Sequence, residues 1–156
     1  MGDKIDVTPY QGLIIIKSGS FNLNDLYKKI SMWYFNKGYD FTEKENSNKI
    51  GSSGSEVKLD IMGDRKIDSY VKFHIDILIA VLEYKGGQGK FHASIKAYLE
   101  LDYDNKWEKT AFDKFLRHIY NSVIIKTRIK KYYGSKLYLE LVDFSKAVKS
   151  PLGLLQ

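Results

Sequence analysis

The sequence predicts an α+β domain in which an antiparallel β-sheet packs on a long C-terminal helix. Three observations carry that prediction. Residues 70–81 and 91–103 alternate apolar and polar side chains, the period of a strand buried on one face. Gly86-Gly87-Gln88-Gly89 joins them as a turn. Apolar stripes with helical spacing lie before and after this pair, so strands and helices are segregated along the chain.

The elements follow in order. Gly12 to Ile16 reads as a buried strand, bounded by Pro9 before it and Ser18-Gly19 after it. Asn22 or Asn24 can cap a helix by accepting a backbone N–H bond. Leu23, Leu26, Tyr27, Ile30 and Tyr34 form its stripe, and Gly38 is placed to end it. Residues 40–46 are expected as a short edge strand. Asn48 to Ser55 reads as a flexible loop, and Val57, Leu59 and Ile61 as a half-buried strand.

The alternating pair must turn both apolar faces to one side, so paired residue numbers sum to an even value. A three-residue loop at 86–88 meets this condition and opposes Ile79 to Ile95 and Ile77 to Ala97. It also opposes Lys72 to Asp102 and His74 to Glu100, which are favourable cross-strand pairs. Moving the turn centre by one residue keeps the alternation but sets Asp76 against Glu100, a like-charge clash, so the first register is preferred. A helix is expected after Asp104-Asn105, on the stripe Phe112, Phe115, Leu116, Ile119 and Val123. That stripe breaks after Val123, and Gly134 interrupts the chain. Leu137, Leu141, Phe144 and Val148 predict a last helix, stopped by Pro151.

The expected order is therefore β-α-β-β-β-β-α-α, with about five strands in one domain spanning residues 1–156. This order resembles the START-like, helix-grip architecture, in which a curved sheet wraps a long C-terminal helix over a hydrophobic cavity. The resemblance covers most of the chain and consists of element order. It implies a pocket for a hydrophobic ligand, lined by Ile77, Ile79, Ala97 and Leu99 with Phe112 and Phe115. The same side chains can equally pack a solid core.

Composition narrows the function classes. The chain has 156 residues, is 44% hydrophobic and contains no cysteine. A core of ordinary size is expected, and disulfides and thiolate metal sites are excluded. The first residues are too polar for a signal peptide and the apolar runs too short to span a bilayer, so a cytoplasmic, non-transmembrane protein is expected. Residues 1–105 carry 14 Lys+Arg against 15 Asp+Glu, and residues 106–156 carry 11 against 4. The excess positive charge thus lies in the last third. Lys126, Arg128, Lys130 and Lys131 there accompany Tyr132 and Tyr133. Cations can contact phosphates while tyrosines stack on bases or sit at a membrane interface, so residues 126–136 are a candidate surface for RNA, a ribosome or an anionic membrane. The competing reading is a solvated helix end, where cations meet the negative end of the dipole.

On the outer face of the hairpin, Lys72, His74, Asp76, Glu100 and Asp102 form a charge cluster. A histidine among acids can bind a cation or transfer protons. A solvated cross-strand ladder accounts for the same residues, since every charge has a partner. Tyr70, Leu78, Ala80, Leu82 and Tyr84 give this face some apolar character, which suits a homo-oligomer. Gly86-Gly87-Gln88 reads as turn chemistry rather than as the release-factor tripeptide. No nucleophile motif, catalytic residue, metal site or cofactor is expected. The sequence therefore predicts a non-catalytic binding module.

Overall fold

The computed structural model of the chain describes residues 3–101 and 126–154. The strands described are β1 (Asp3–Asp6), β2 (Leu13–Ser20), β3 (Asp40–Gly51), β4 (Gly54–Lys66), β5 (Val71–Lys85) and β6 (Gln88–Leu101). Helix α1 (Leu23–Asn36) stands between β2 and β3. Helix α2 (Lys126–Lys149) ends in a 3-10 turn at Ser150–Leu152. All pairings are antiparallel, in the order β1-β6-β5-β4-β3, with β2 also beside β6. The expected helix over Phe112, Phe115 and Val123 lies outside the described residues.

The sheet holds six strands rather than about five. The 14-residue β6 is long enough for two short strands to share one of its edges: β2 pairs with residues 88–95 and β1 with residues 98–101. The first strand escapes sequence reading because Asp3-Lys4-Ile5-Asp6 offers one apolar side chain, too few to show a period. A second correction concerns residues 48–55. They are not a loop but the tip of a long hairpin, with Gly51 paired to Gly54 across Ser52-Ser53. Backbone pairing forms this arm, and almost every side chain of β3 stays exposed. No burial pattern is imposed on the sequence there, so none can be read from it.

The β5–β6 register differs from the expected one by a single ladder step. Ile77 faces Ile95, Ile79 faces Ala93 and Lys72 faces Glu100. The turn is the two-residue Gly86-Gly87, both at positive φ (61° and 76°), the conformation a tight hairpin demands. Such a turn gives an odd sum, with Lys85 facing Gln88. A β-bulge restores the even sum: between Leu82 and Lys85, β5 carries one residue more than β6. The strand on the other side records the same insertion, between Ser55 and Val57 of β4. Glu83 lies within it at φ 54°. Beyond the bulge the faces exchange, so Tyr84 points inward, not outward as expected. Its ring lies 5.2 Å from Phe21, and its hydroxyl donates to the Phe21 carbonyl at 3.0 Å.

The helices cover the face carrying Phe73, Ile75, Ile77, Ile79, Phe91, Ile95 and Leu99, all essentially inaccessible to solvent. Asn22 caps α1 by accepting the Asp25 N–H at 3.1 Å. Leu26, Ile30, Trp33 and Tyr34 turn inward. Tyr34 sits over Gly63 of β4, where an added Cβ would lie 2.2 Å from the ring. The Tyr34 hydroxyl donates to the Ile75 carbonyl at 2.7 Å. From α2, Leu137, Leu141, Phe144 and Val148 are buried as the stripe predicts, and Phe144 packs 4.8 Å from Trp33 and 5.1 Å from Tyr34. Arg65 of β4 bridges the layers: it pairs with Glu140 of α2 at 2.7 Å and donates to the Lys37 carbonyl beyond α1. Gly134 does not break the helix, which runs through it. A glycine inside a helix costs about 1 kcal/mol but does not forbid the helical conformation. Pro151 does end it. Among the described residues no helix is long and apolar enough to cross a membrane.

Candidate functional site

Two depressions on the described surface bring chemistry together. The first is a groove of about 400 Å³ at the rim of the sheet, between β1 and α2. Ile5 and Val7 form one wall, and Gly134, Tyr138 and Leu139 the other. Asp6 and Lys130 stand beside them. Gly134 supplies no side chain, and a Cβ there would meet nothing within 4 Å. Tyr138 and Leu139 are exposed apolar residues along this edge. Of the residues expected to line a ligand pocket, Ile77, Ile79, Ala97 and Leu99 are fully buried deeper in the sheet. Phe112 and Phe115 lie outside the described residues.

The basic segment is divided by its position on α2. Lys130 and Lys131 are exposed, and so is Tyr132. The Lys136 ammonium donates to the Tyr132 hydroxyl at 2.9 Å and lies 4.3 Å from the ring centre. Tyr133 turns the other way. Its ring meets Phe73 edge-on, and its hydroxyl donates to Asp68 at 2.9 Å. Burial works to raise the Asp68 carboxyl pKa, but bonds from the Val71 and Tyr70 N–H groups and from Tyr133 outweigh it and hold it below the usual value. Helix α2 is thereby fastened to the β4–β5 turn. The side chains of Lys126 and Arg128 lie outside the described residues.

The second depression, of about 360 Å³, lies on the outer face of the sheet. It opens where β6 changes neighbours: β1 pairing stops at Tyr98 and β2 pairing stops at Ile95. The chain between them, Val7 to Gly12, is fixed as a wall. The Val7 and Thr8 N–H groups both donate to the Ala97 carbonyl, and the Ser94 hydroxyl donates to the Gln11 carbonyl at 2.8 Å. Gly12, at φ 79°, has no room for a side chain, since a Cβ would lie 2.6 Å from Ser94 Oγ.

Asp76 lines this cleft, opposite Lys96 on β6 and Met62 on β4. It accepts the Gly63 N–H at 3.3 Å. Burial pushes its carboxyl up to about 6, and nearby Asp60 adds to the rise. The Gly63 bond, Lys4 and Lys44 pull the other way. Asp76, expected on a solvated charge ladder, is therefore largely withdrawn from solvent. His74 is buried, stacks on Tyr98 with ring centres 4.4 Å apart, and pairs with Glu100 at 2.9 Å. It reaches Glu100 diagonally, because Tyr98 is its direct partner. Asp102 lies outside the described residues. Among the described residues no three histidine or acidic side chains gather to hold a metal ion.

Sequence reasoning picked out Asp76 but missed Lys4, Lys44 and Lys96. Their only common signal is the sheet order, which joins three strands far apart in the chain. No protein-family model, curated protein or solved structure matches the chain.

Proposed function

We propose that the protein is a non-catalytic binding module that carries a hydrophobic ligand against the C-terminal helix. The observation that carries this reading is the apolar groove between β1 and α2. Its volume falls within the usual range of small-ligand sites, roughly 300–1,000 Å³. A glycine inside a helix costs stability, and Gly134 stands where its missing side chain opens the groove. Lys130 at the margin suits a ligand with an anionic head. The element order adds the START-like layout, in which ligands lie between sheet and helix.

Gly134→Trp tests the proposal, because a Cβ there meets nothing within 4 Å and the indole beyond it would occupy the groove. Dodecanoate binding, followed by native mass spectrometry, is expected for the native protein and at least tenfold weaker for the variant. Equal binding by both, or none by either, would overturn the reading. A second reading rests on exposed Lys130, Lys131 and Tyr132. In it, this surface of α2 docks on RNA through phosphate contacts and base stacking.

A further inference from the structure

We propose that the outer-face cleft binds a small phosphate monoester that also carries hydroxyl groups, a sugar phosphate in size and chemistry. Three ammonium groups reach the cleft from three strands: Lys4 from β1, Lys44 from β3 and Lys96 from β6. Lys44 is the extra residue of a β-bulge between Glu43 and Glu45. Bulges re-aim side chains, and this one brings a cation over the cleft. Asp60 and Asp76 line the same depression, yet among the described residues none of the three lysines comes within ion-pair distance of a carboxylate. Lys4 instead lies 4.2 Å from the centre of the Tyr98 ring, and Lys96 lies 5.6 Å from that of Tyr10.

Cations and carboxylates in one cleft, not paired with each other, match a ligand that offers both an oxyanion and hydroxyl donors. The phosphate would be held by the lysines. The hydroxyls would donate to Asp60 and Asp76, and the apolar face of a sugar would rest on Met62 and Leu78. A simple anion gives the carboxylates no hydroxyl donor, and a simple polyol gives the lysines no oxyanion. The volume of about 360 Å³ suits a monosaccharide rather than a polymer. The wall of residues 7–12 is tied to β6 and the floor to the ladder itself, so little order has to be imposed on binding.

The test is titration of the 15N-labelled protein with ribose 5-phosphate, inorganic phosphate and ribose, read by amide chemical shifts. Ribose 5-phosphate is expected to give saturable shifts at Thr8, Tyr10, Gln11, Gly12, Gly63 and Lys96, and to bind more tightly than either fragment. The double variant Lys44→Gln/Lys96→Gln should lose at least tenfold in affinity while melting like the native protein, since both side chains are exposed. Gly134→Trp should bind as the native protein does, which separates this cleft from the rim groove. Absence of saturable shifts up to about 10 mM would overturn the proposal. So would undiminished affinity in the double variant, or shifts with an RNA oligonucleotide but not with ribose 5-phosphate.

Discussion

Replacing Asp76 by Asn isolates the cost of keeping a carboxylate half-buried in the outer face. The Asp76 carboxyl titrates at about 6 in the folded chain, against 3.8 for a free side chain. That rise corresponds to roughly 3 kcal/mol. The pKa is raised, so the folded state prefers the protonated form. Its favourable contribution is complete below pH about 4 and is lost as the pH climbs through about 6. Asparagine resembles the protonated acid and can still accept the Gly63 N–H. The variant should therefore match the native protein near pH 4 and exceed it by about 2–3 kcal/mol at pH 8. For a chain of this length that is a rise in Tm of roughly 4–12 °C. Urea denaturation followed by tryptophan fluorescence at both pH values measures the difference. The comparison is made at equal pH, so groups common to both proteins, including the His74–Glu100 pair, cancel to first order. An advantage that is equal at the two pH values, or larger at pH 4, would refute the assignment of burial as the cause.

Two further predictions concern the inner face and helix α2. Gly63→Ala sets a methyl group 2.2 Å from the fully buried Tyr34 ring. Displacing that ring and its bond to Ile75 should cost about 2–4 kcal/mol in a chemical denaturation experiment. Under the RNA reading, Lys130→Gln/Lys131→Gln should weaken binding of a labelled RNA and reduce the slope of log affinity against log salt by roughly 1–2. Fluorescence anisotropy at several salt concentrations checks it, and an unchanged slope counts against that surface.

The parts of the fold legible in the sequence are those where burial writes a period. The β5–β6 pair, the inner stripe of α1 and the Leu137 to Val148 face of α2 all press one side into the core, and each could be read. Asn22 could be read because capping is local chemistry. The polar arm of β3 and the four residues of β1 are held mainly by backbone pairing, which leaves little mark on side-chain choice. The bulge at Glu83 was invisible because Leu82, Glu83, Tyr84 and Lys85 suit either face. Gly134 misled because a helix tolerates a glycine at a cost of about 1 kcal/mol, which the packing of Leu137 to Val148 outweighs. The cleft was hidden for another reason: Lys4, Lys44 and Lys96 become neighbours only once the strand order is known.

The bulge in β5 also bears on how this chain can change length. One extra residue there reconciles a two-residue turn, whose flanking pair sums to an odd number, with a ladder whose pairs sum to an even one. Deleting Glu83 alone would leave the apolar faces of β5 and β6 on opposite sides, or would throw the turn out of shape. Deleting a matched pair would merely move the ladder by one rung. Natural variants of this hairpin should therefore gain or lose residues in twos, and a lone insertion should be tolerated only beside a second one that restores the count. The distinction between the inside and the outside of the sheet is kept, at this end, by parity.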